Sequence, residues 1–196
     1  MLVLLAVGSA AQKTPTQRRA GFQWDWEHPQ KLNKVLGDYN DISPGDRSAL
    51  LSALTPKFSN YPSPPASKER AEQTRVEFID LNSDGTQEVI AQLSGDACSP
   101  TGNCPLYILR KTGTNYRVIL EKGAAQTVTV QRTRTNGYFD VVIGMHGSAT
   151  QQGLFVYQFR EGRYRRTHCY NAFFTYLGKD GEVHDLEVPR IDPCGN

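Results

Sequence analysis

The sequence predicts a mainly β fold of the α+β class. It is an antiparallel β-meander or sandwich of blade-like units behind two short N-terminal helices. Three observations carry this. After about Arg75 the chain is a series of short β-branched and aromatic runs broken by Gly, Asn and Asp turns. Part of that region repeats itself. All four cysteines, an even number, stand in that region as well, as suits a β-domain stapled by disulfides.

Taken in order, residues 1–11 are an apolar run ending in small residues. Ser9 and Ala11 stand at the −3 and −1 positions of a cut before Gln12, so the segment reads as a signal peptide, although no Lys or Arg precedes it. Residues 12–60 form a leader and a helical segment. Trp24 and Trp26 in the leader either dock on the domain or stay exposed. Leu32, Val35, Leu36 and Tyr39 recur at helical spacing after Pro29, which predicts a first helix. Ser43 followed by Pro44 predicts the start of a second, carrying Leu50, Leu51 and Leu54. Residues 61–74 read as a connector, because Tyr61-Pro62-Ser63-Pro64-Pro65 resists both helix and sheet. Residues 75–196 are the β-domain, with about eight to ten strands.

The chain's 196 residues suffice for a single core, and its net charge of +2 gives no electrostatic case for nucleic acid. No segment is long and apolar enough to span a bilayer. The signal-like start and the cysteines lead us to expect a secreted or periplasmic protein, and a monomer is expected. The pairs expected are Cys98–Cys104, closing a short loop, and Cys169–Cys194, tethering the tail. Neither has the spacing of a zinc or redox motif.

The most informative stretch is Asp80-Leu81-Asn82-Ser83-Asp84-Gly85-Thr86-Gln87-Glu88. Oxygen-bearing side chains fall at Asp80, Asn82, Asp84 and Glu88, and Gly85 stands where a ligand loop turns sharply. Hard cations such as Ca2+ take six to eight such oxygens. The flanks Val76-Glu77-Phe78-Ile79 and Val89-Ile90-Ala91-Gln92-Leu93 are strand-like, so the loop joins two strands. An EF-hand is disfavoured because Ala91 occupies its twelfth position.

The repeat aligns Asp84–Ala91 with Asn136–Ile143, Leu106–Arg110 with Leu154–Gln158, and Gly113–Arg117 with Glu161–Arg165. Each unit reads strand, turn, strand, strand, turn, strand. In the second unit Arg132 stands opposite Asp80 and Arg134 opposite Asn82. Cations at two ligand positions exclude a second ion, and Arg134 is expected to donate to local carbonyls or to Asp140 instead.

On these residues, from about Val76 to Leu93 and more loosely to Arg166, the chain resembles the calcium-loop hairpins of FG-GAP and VCBS repeats. Those repeats build β-propellers in integrins and many bacterial secreted proteins. The resemblance implies side-chain ligands at Asp80, Asn82, Asp84 and Glu88, and a carbonyl ligand at Thr86. Only two units occur here, and neither the Phe-Gly nor the Gly-Ala-Pro signature is present. An isolated sheet or sandwich is therefore expected, not a complete propeller.

Other candidates carry weaker chemistry. His146 and Ser148, in Gly144-Met145-His146-Gly147-Ser148, suggest a binding loop or a hydrolase's base and nucleophile, although the Gly-x-Ser-x-Gly elbow is absent. His28, His146, His168 and His184 match no compact zinc motif. The run from Arg160 to His168, with Arg163, Tyr164 and Arg165, is locally basic and suits an anionic partner. Tyr107, Tyr116, Tyr157 and Tyr164 read as cross-strand packing. The functional expectation is a non-catalytic, calcium-stabilised exported protein that binds a partner protein or cell-envelope component. The alternatives are a hydrolase at His146/Ser148 or on histidine-bound metal, and an inhibitor of a secreted enzyme such as lysozyme, acting through the Cys98–Cys104 loop.

Overall fold

The computed structural model describes residues 22–58 and 67–195. The expected signal peptide, the first part of the leader and Tyr61–Ala66 of the connector lie outside the described residues. Ten strands run β1 (Lys34–Val35), β2 (Arg75–Ile79), β3 (Glu88–Gln92), β4 (Cys104–Thr112), β5 (Asn115–Ala125), β6 (Thr127–Thr135), β7 (Tyr138–Ser148), β8 (Gln151–Arg160), β9 (Arg163–Leu177) and β10 (Val183–Pro193). They form two five-stranded antiparallel meanders, β1-β2-β3-β4-β5 and β10-β9-β8-β7-β6. The arrangement is consistent with a β-sandwich or half-barrel.

Alternation along the strands explains the layers. Ile90, Leu106 and Ile108 of the first sheet meet Val141, Ile143, Phe155 and Tyr157 of the second in one shared core. The other face of the first sheet, with Val89, Ala91 and Leu109, packs against Leu50, Leu51 and Leu54 of helix α1 (Pro44–Leu54). Because β3 is covered on both faces, all five of its residues are buried. The second sheet's outer face is covered by the leader, where Trp24 packs on Val142, Leu154, Val156 and Ala172. Docking is thus the outcome for Trp24, which is 8% exposed. Of the tyrosines expected in cross-strand packing, Tyr157 and Tyr164 lie in the shared core, while Tyr107 and Tyr116 lie on the helix-covered face.

Helix α1 starts as expected. Ser43 Oγ accepts from the Asp46 amide at 3.1 Å, and Pro44 occupies the first turn. The expected helix at Leu32–Tyr39 is corrected. That segment is β1 followed by one 3-10 turn at Leu36–Asp38. Its apolar residues do not share a face: Leu32 packs against the shared core, whereas Leu36 and Tyr39 pack on the helix side. The chain is crossing between layers there, which no single helical stripe does. Within the expected connector, Ser67–Glu72 forms helix α2. Ala71 is buried in it, and Arg70 is held by Asp96.

The aligned repeat residues fall on β3, β4 and β5 with their turns in the first sheet and on β7, β8 and β9 with theirs in the second. The turn glycines Gly85 and Gly137 share positive φ values of 84° and 85°, a conformation that favours glycine. Both expected disulfides, Cys98–Cys104 and Cys169–Cys194, are formed.

Candidate functional site

The Asp80–Glu88 loop connects β2 to β3 in an antiparallel hairpin, closed by the Ile79↔Glu88 pair. Its acidic side chains fold the loop around themselves. Asp80 Oδ1 accepts from the amides of Asn82 (3.3 Å) and Asp84 (3.2 Å), and Asp80 Oδ2 accepts from Gly85 (2.9 Å). Asn82 Oδ1 accepts from the Asp84 amide at 3.0 Å, and Asp84 Oδ1 from Thr86 at 2.7 Å. These are nested Asx turns, in which a short polar side chain replaces the next backbone carbonyl.

Glu88 differs from the others. It is 1% exposed, and its Oε2 accepts from the Leu81 amide at 2.9 Å. Burial raises its pKa, the Leu81 bond opposes that, and the negative charges of Asp84 and Asp80 raise it further. Asp84 is pushed the other way, chiefly by the Thr86 amide and the Asn82 side chain.

The loop matches the expected ion in the kind of its donors but not in their grouping. The donor set is entirely oxygen, as a hard cation requires, and the loop already turns three carboxylates toward its own interior amides. As placed, the carboxylates are spread along those amides: among the described residues no three His, Cys, Asp or Glu side chains group closely enough to share an ion. The fit therefore rests on donor chemistry and on the path of the loop.

The second unit reaches into this loop. Tyr138 OH accepts from Asn82 Nδ2 (2.9 Å) and from Arg110 (3.2 Å), and the Phe139 amide donates to the Leu81 carbonyl (2.8 Å). Arg134 lies 3.8 Å over the Phe139 ring and donates to Ser83 Oγ (2.6 Å), the Gly137 carbonyl (3.3 Å) and the Asn82 carbonyl (3.5 Å). It does serve local carbonyls, but Asp140 takes Thr133 (2.8 Å) and Gln158 (3.4 Å) instead. Asp140 aligns with Glu88, and both are 1% exposed.

A second joint lies at the disulfide loop. Asn103 donates its amide to the His146 carbonyl and accepts from the His146 N–H, both at 2.8 Å. Its side chain thus acts as one residue of a strand beside β7. The Cys98–Cys104 loop is pinned between the sheets here, and Cys104 and Asn103 are buried. His146 and Ser148 lie within β7 and not in a loop after it, with an irregularity between them. Ser148 Oγ bonds Thr150 at 3.1 Å and not His146.

The histidines stay apart in local roles. His28 pairs with Asp25 (3.2 Å), His184 with Asp180 (2.9 Å), and His168 bonds Thr167 (3.0 Å). In the basic run, Tyr164 faces inward and its hydroxyl donates to the Phe139 carbonyl at 2.7 Å. Burial, first of all, raises its pKa. Arg163 and Arg165 point to the opposite, exposed face. Arg160 pairs directly across from Arg163, and Gln158 from Arg165, so Arg160, Arg163 and Arg165 share that face. Sequence reasoning missed Asn103 and Tyr138; the only available signals were their places, before Cys104 and opposite Thr86 in the repeat.

No protein-family model matches this chain, no curated protein matches it, and no solved structure matches it.

Proposed function

We propose that this is an exported, non-catalytic β-protein that binds a partner or cell-envelope component bearing negative charge, with its acidic loop stabilised by calcium. The observation that supports binding is the Arg160–Arg163 pair directly opposed across β8 and β9, with Arg165 next to it on the same exposed face. Like charges placed opposite one another on a sheet are unfavourable. Glu161, bonded to Arg165 at 3.2 Å, offsets only part of this, and an anionic ligand offsets the rest. The two disulfides fit an extracellular or periplasmic protein. Among the described residues no helix is long and apolar enough to cross a membrane.

In this reading Ca2+ is held by side chains of Asp80, Asn82, Asp84 and Glu88 and by the Thr86 carbonyl. The ion supplies positive charge that offsets the cost of keeping Glu88 ionised beside two other carboxylates. Kinship of the two units with FG-GAP and VCBS blades belongs to the same reading, supported by the matching turns at Gly85 and Gly137.

Titration with an anionic polysaccharide such as dextran sulfate tests the arginine face. Affinity is expected to fall steeply between low and physiological salt, and severalfold more in Arg163→Glu. Binding that ignores both salt and that substitution refutes the arginine face. Calorimetric titration with CaCl2 tests the loop separately, with Asp84→Asn expected to abolish the signal.

A further inference from the structure

The large hydrophobic side chains exposed among the described residues all fall within thirteen residues: Tyr176 (46%), Leu177 (72%), Val183 (66%) and Val188 (69%). They lie on one element. The last residue of β9 that pairs with β8 is Phe173, whereas β9 and β10 stay paired out to Leu177↔Val183. The end of the hairpin therefore projects past its sheet as a two-stranded arm. Its tip is closed by hydrogen bonds: Gly178 donates to the Glu182 carbonyl at 2.8 Å, and Asp180 accepts from the Glu182 amide (3.0 Å) and meets His184 (2.9 Å). A two-stranded hairpin alone is marginal in water, and this one carries an apolar cross-strand pair, Leu177 and Val183, open to solvent.

The arm is also acidic. Residues 178–193 carry Lys179 and Arg190 against Asp180, Glu182, Asp185, Glu187 and Asp192, a net −3 within a chain of net +2. Along the rest of β10 the free edge is broken by an irregularity between Asp185 and Arg190 and carries prolines at 189 and 193. Both features discourage strand addition, so the tip, not the edge, is the contacting part.

The same molecule offers a matching receptor. Where the leader crosses the seam between the two sheets, before β1, it forms an open cleft of about 520 Å³. Pro29 and Leu32 line it with apolar surface above the buried Val128, Lys31 and Arg75 are its cationic groups, and Glu27 is its one carboxylate. Leu32 reaches the shared core, so an apolar group entering the cleft meets hydrocarbon. Arm and cleft are complementary in charge and in polarity. The cleft's volume lies in the range of side-chain-sized and ligand-sized sites.

We propose that the occupant of this cleft is the β9–β10 arm tip of a second copy of the chain, with Leu177 and Val183 entering and Asp180, Glu182 and Asp185 meeting Lys31 and Arg75. Such a contact joins two different patches, so it closes as a dimer only when it is reciprocal about a two-fold axis. The inference uses neither the calcium loop nor the arginine face, and departs from the single-copy state expected of the sequence.

Sedimentation equilibrium of the purified protein over a micromolar concentration series tests it. Wild type is expected to self-associate, more weakly at high salt. Leu177→Asp/Val183→Asp (the arm variant) and Lys31→Glu/Arg75→Glu (the cleft variant) should each be monomeric with unchanged melting temperature, since leucine, valine, lysine and arginine there are exposed. Mixing the two variants leaves one intact arm facing one intact cleft, and should restore a hetero-assembly. Monomeric wild type at high micromolar concentration overturns the proposal, leaving the arm to another protein. Association that survives either variant, or variants that stay monomeric when mixed, overturns the arm-to-cleft pairing.

Discussion

Replacing Asn103 with alanine should separate the two sheets at the disulfide end. Asn103 is 7% exposed, and its amide makes both bonds to the His146 backbone at 2.8 Å. Alanine removes both and leaves the His146 N–H and C=O in a partly buried site without partners. Each intramolecular bond contributes about 0.5–1.5 kcal/mol net, and an unsatisfied buried group costs about 1–3 kcal/mol. Partial access to water at His146 brings the total toward the lower end, about 2–4 kcal/mol. For a domain of this size that is a fall in Tm of roughly 5–10 °C. Urea unfolding followed by tryptophan fluorescence measures it, with the disulfides intact in both proteins. Asn103→Asp is the sharper control: Oδ1 still accepts from the His146 N–H, but the second oxygen now faces the His146 carbonyl. It should be at least as destabilising as alanine. A loss under about 0.5 kcal/mol for both variants would refute the view that this side chain joins the sheets.

The remaining expectations address other layers. Trp24→Ala strips the leader's anchor from the second sheet and should cost about 2–4 kcal/mol, near the lower part of the range for large core truncations; calorimetric melting checks it. Millimolar CaCl2 should raise Tm relative to chelator, and Asp80→Asn should remove that difference. An unchanged wild-type Tm counts against the metal. The raised pKa of Glu88 has a definite sign. A carboxyl whose folded pKa lies above its reference value of 4.5 lends stability below pH 4.5 that is lost as pH climbs through the folded value. In chelator, therefore, Glu88→Gln should gain on wild type as pH rises from 4 to 7, as read from urea midpoints. A pH-independent difference between the two proteins would show that Glu88 is not strained by ionisation.

Much of the β-domain is readable because its code is local. The Asp80–Glu88 hairpin announces itself through turn chemistry between two strand-like runs, and Ser43-Pro44 through capping. Both depend on groups a few residues apart. The aligned segments land on β3–β5 and β7–β9 for a similar reason, since strands in both sheets alternate toward the same shared core. Leu32–Tyr39 misleads because helical spacing assumes one core, whereas these side chains enter two. Helix α2 is hidden for a related reason: Pro62, Pro64 and Pro65 dominate the local signal, while the burial of Ala71 and the Asp96 partner of Arg70 come from elsewhere in the chain.

By itself the sequence determined the hairpin at Gly85 and the cap at Ser43, because each follows from neighbours along the chain, and it pointed to a meander of strands and to the two cysteine pairs that the structure forms. Only the tertiary structure decided that Trp24 covers a sheet, that Asn103 binds His146 forty-three residues away, that Tyr164 turns inward between two outward arginines, and that Leu177 and Val183 stand free on a projecting arm. Such pairings join residues remote in sequence, and their energy appears only once the sheets have brought the groups together and water has been excluded.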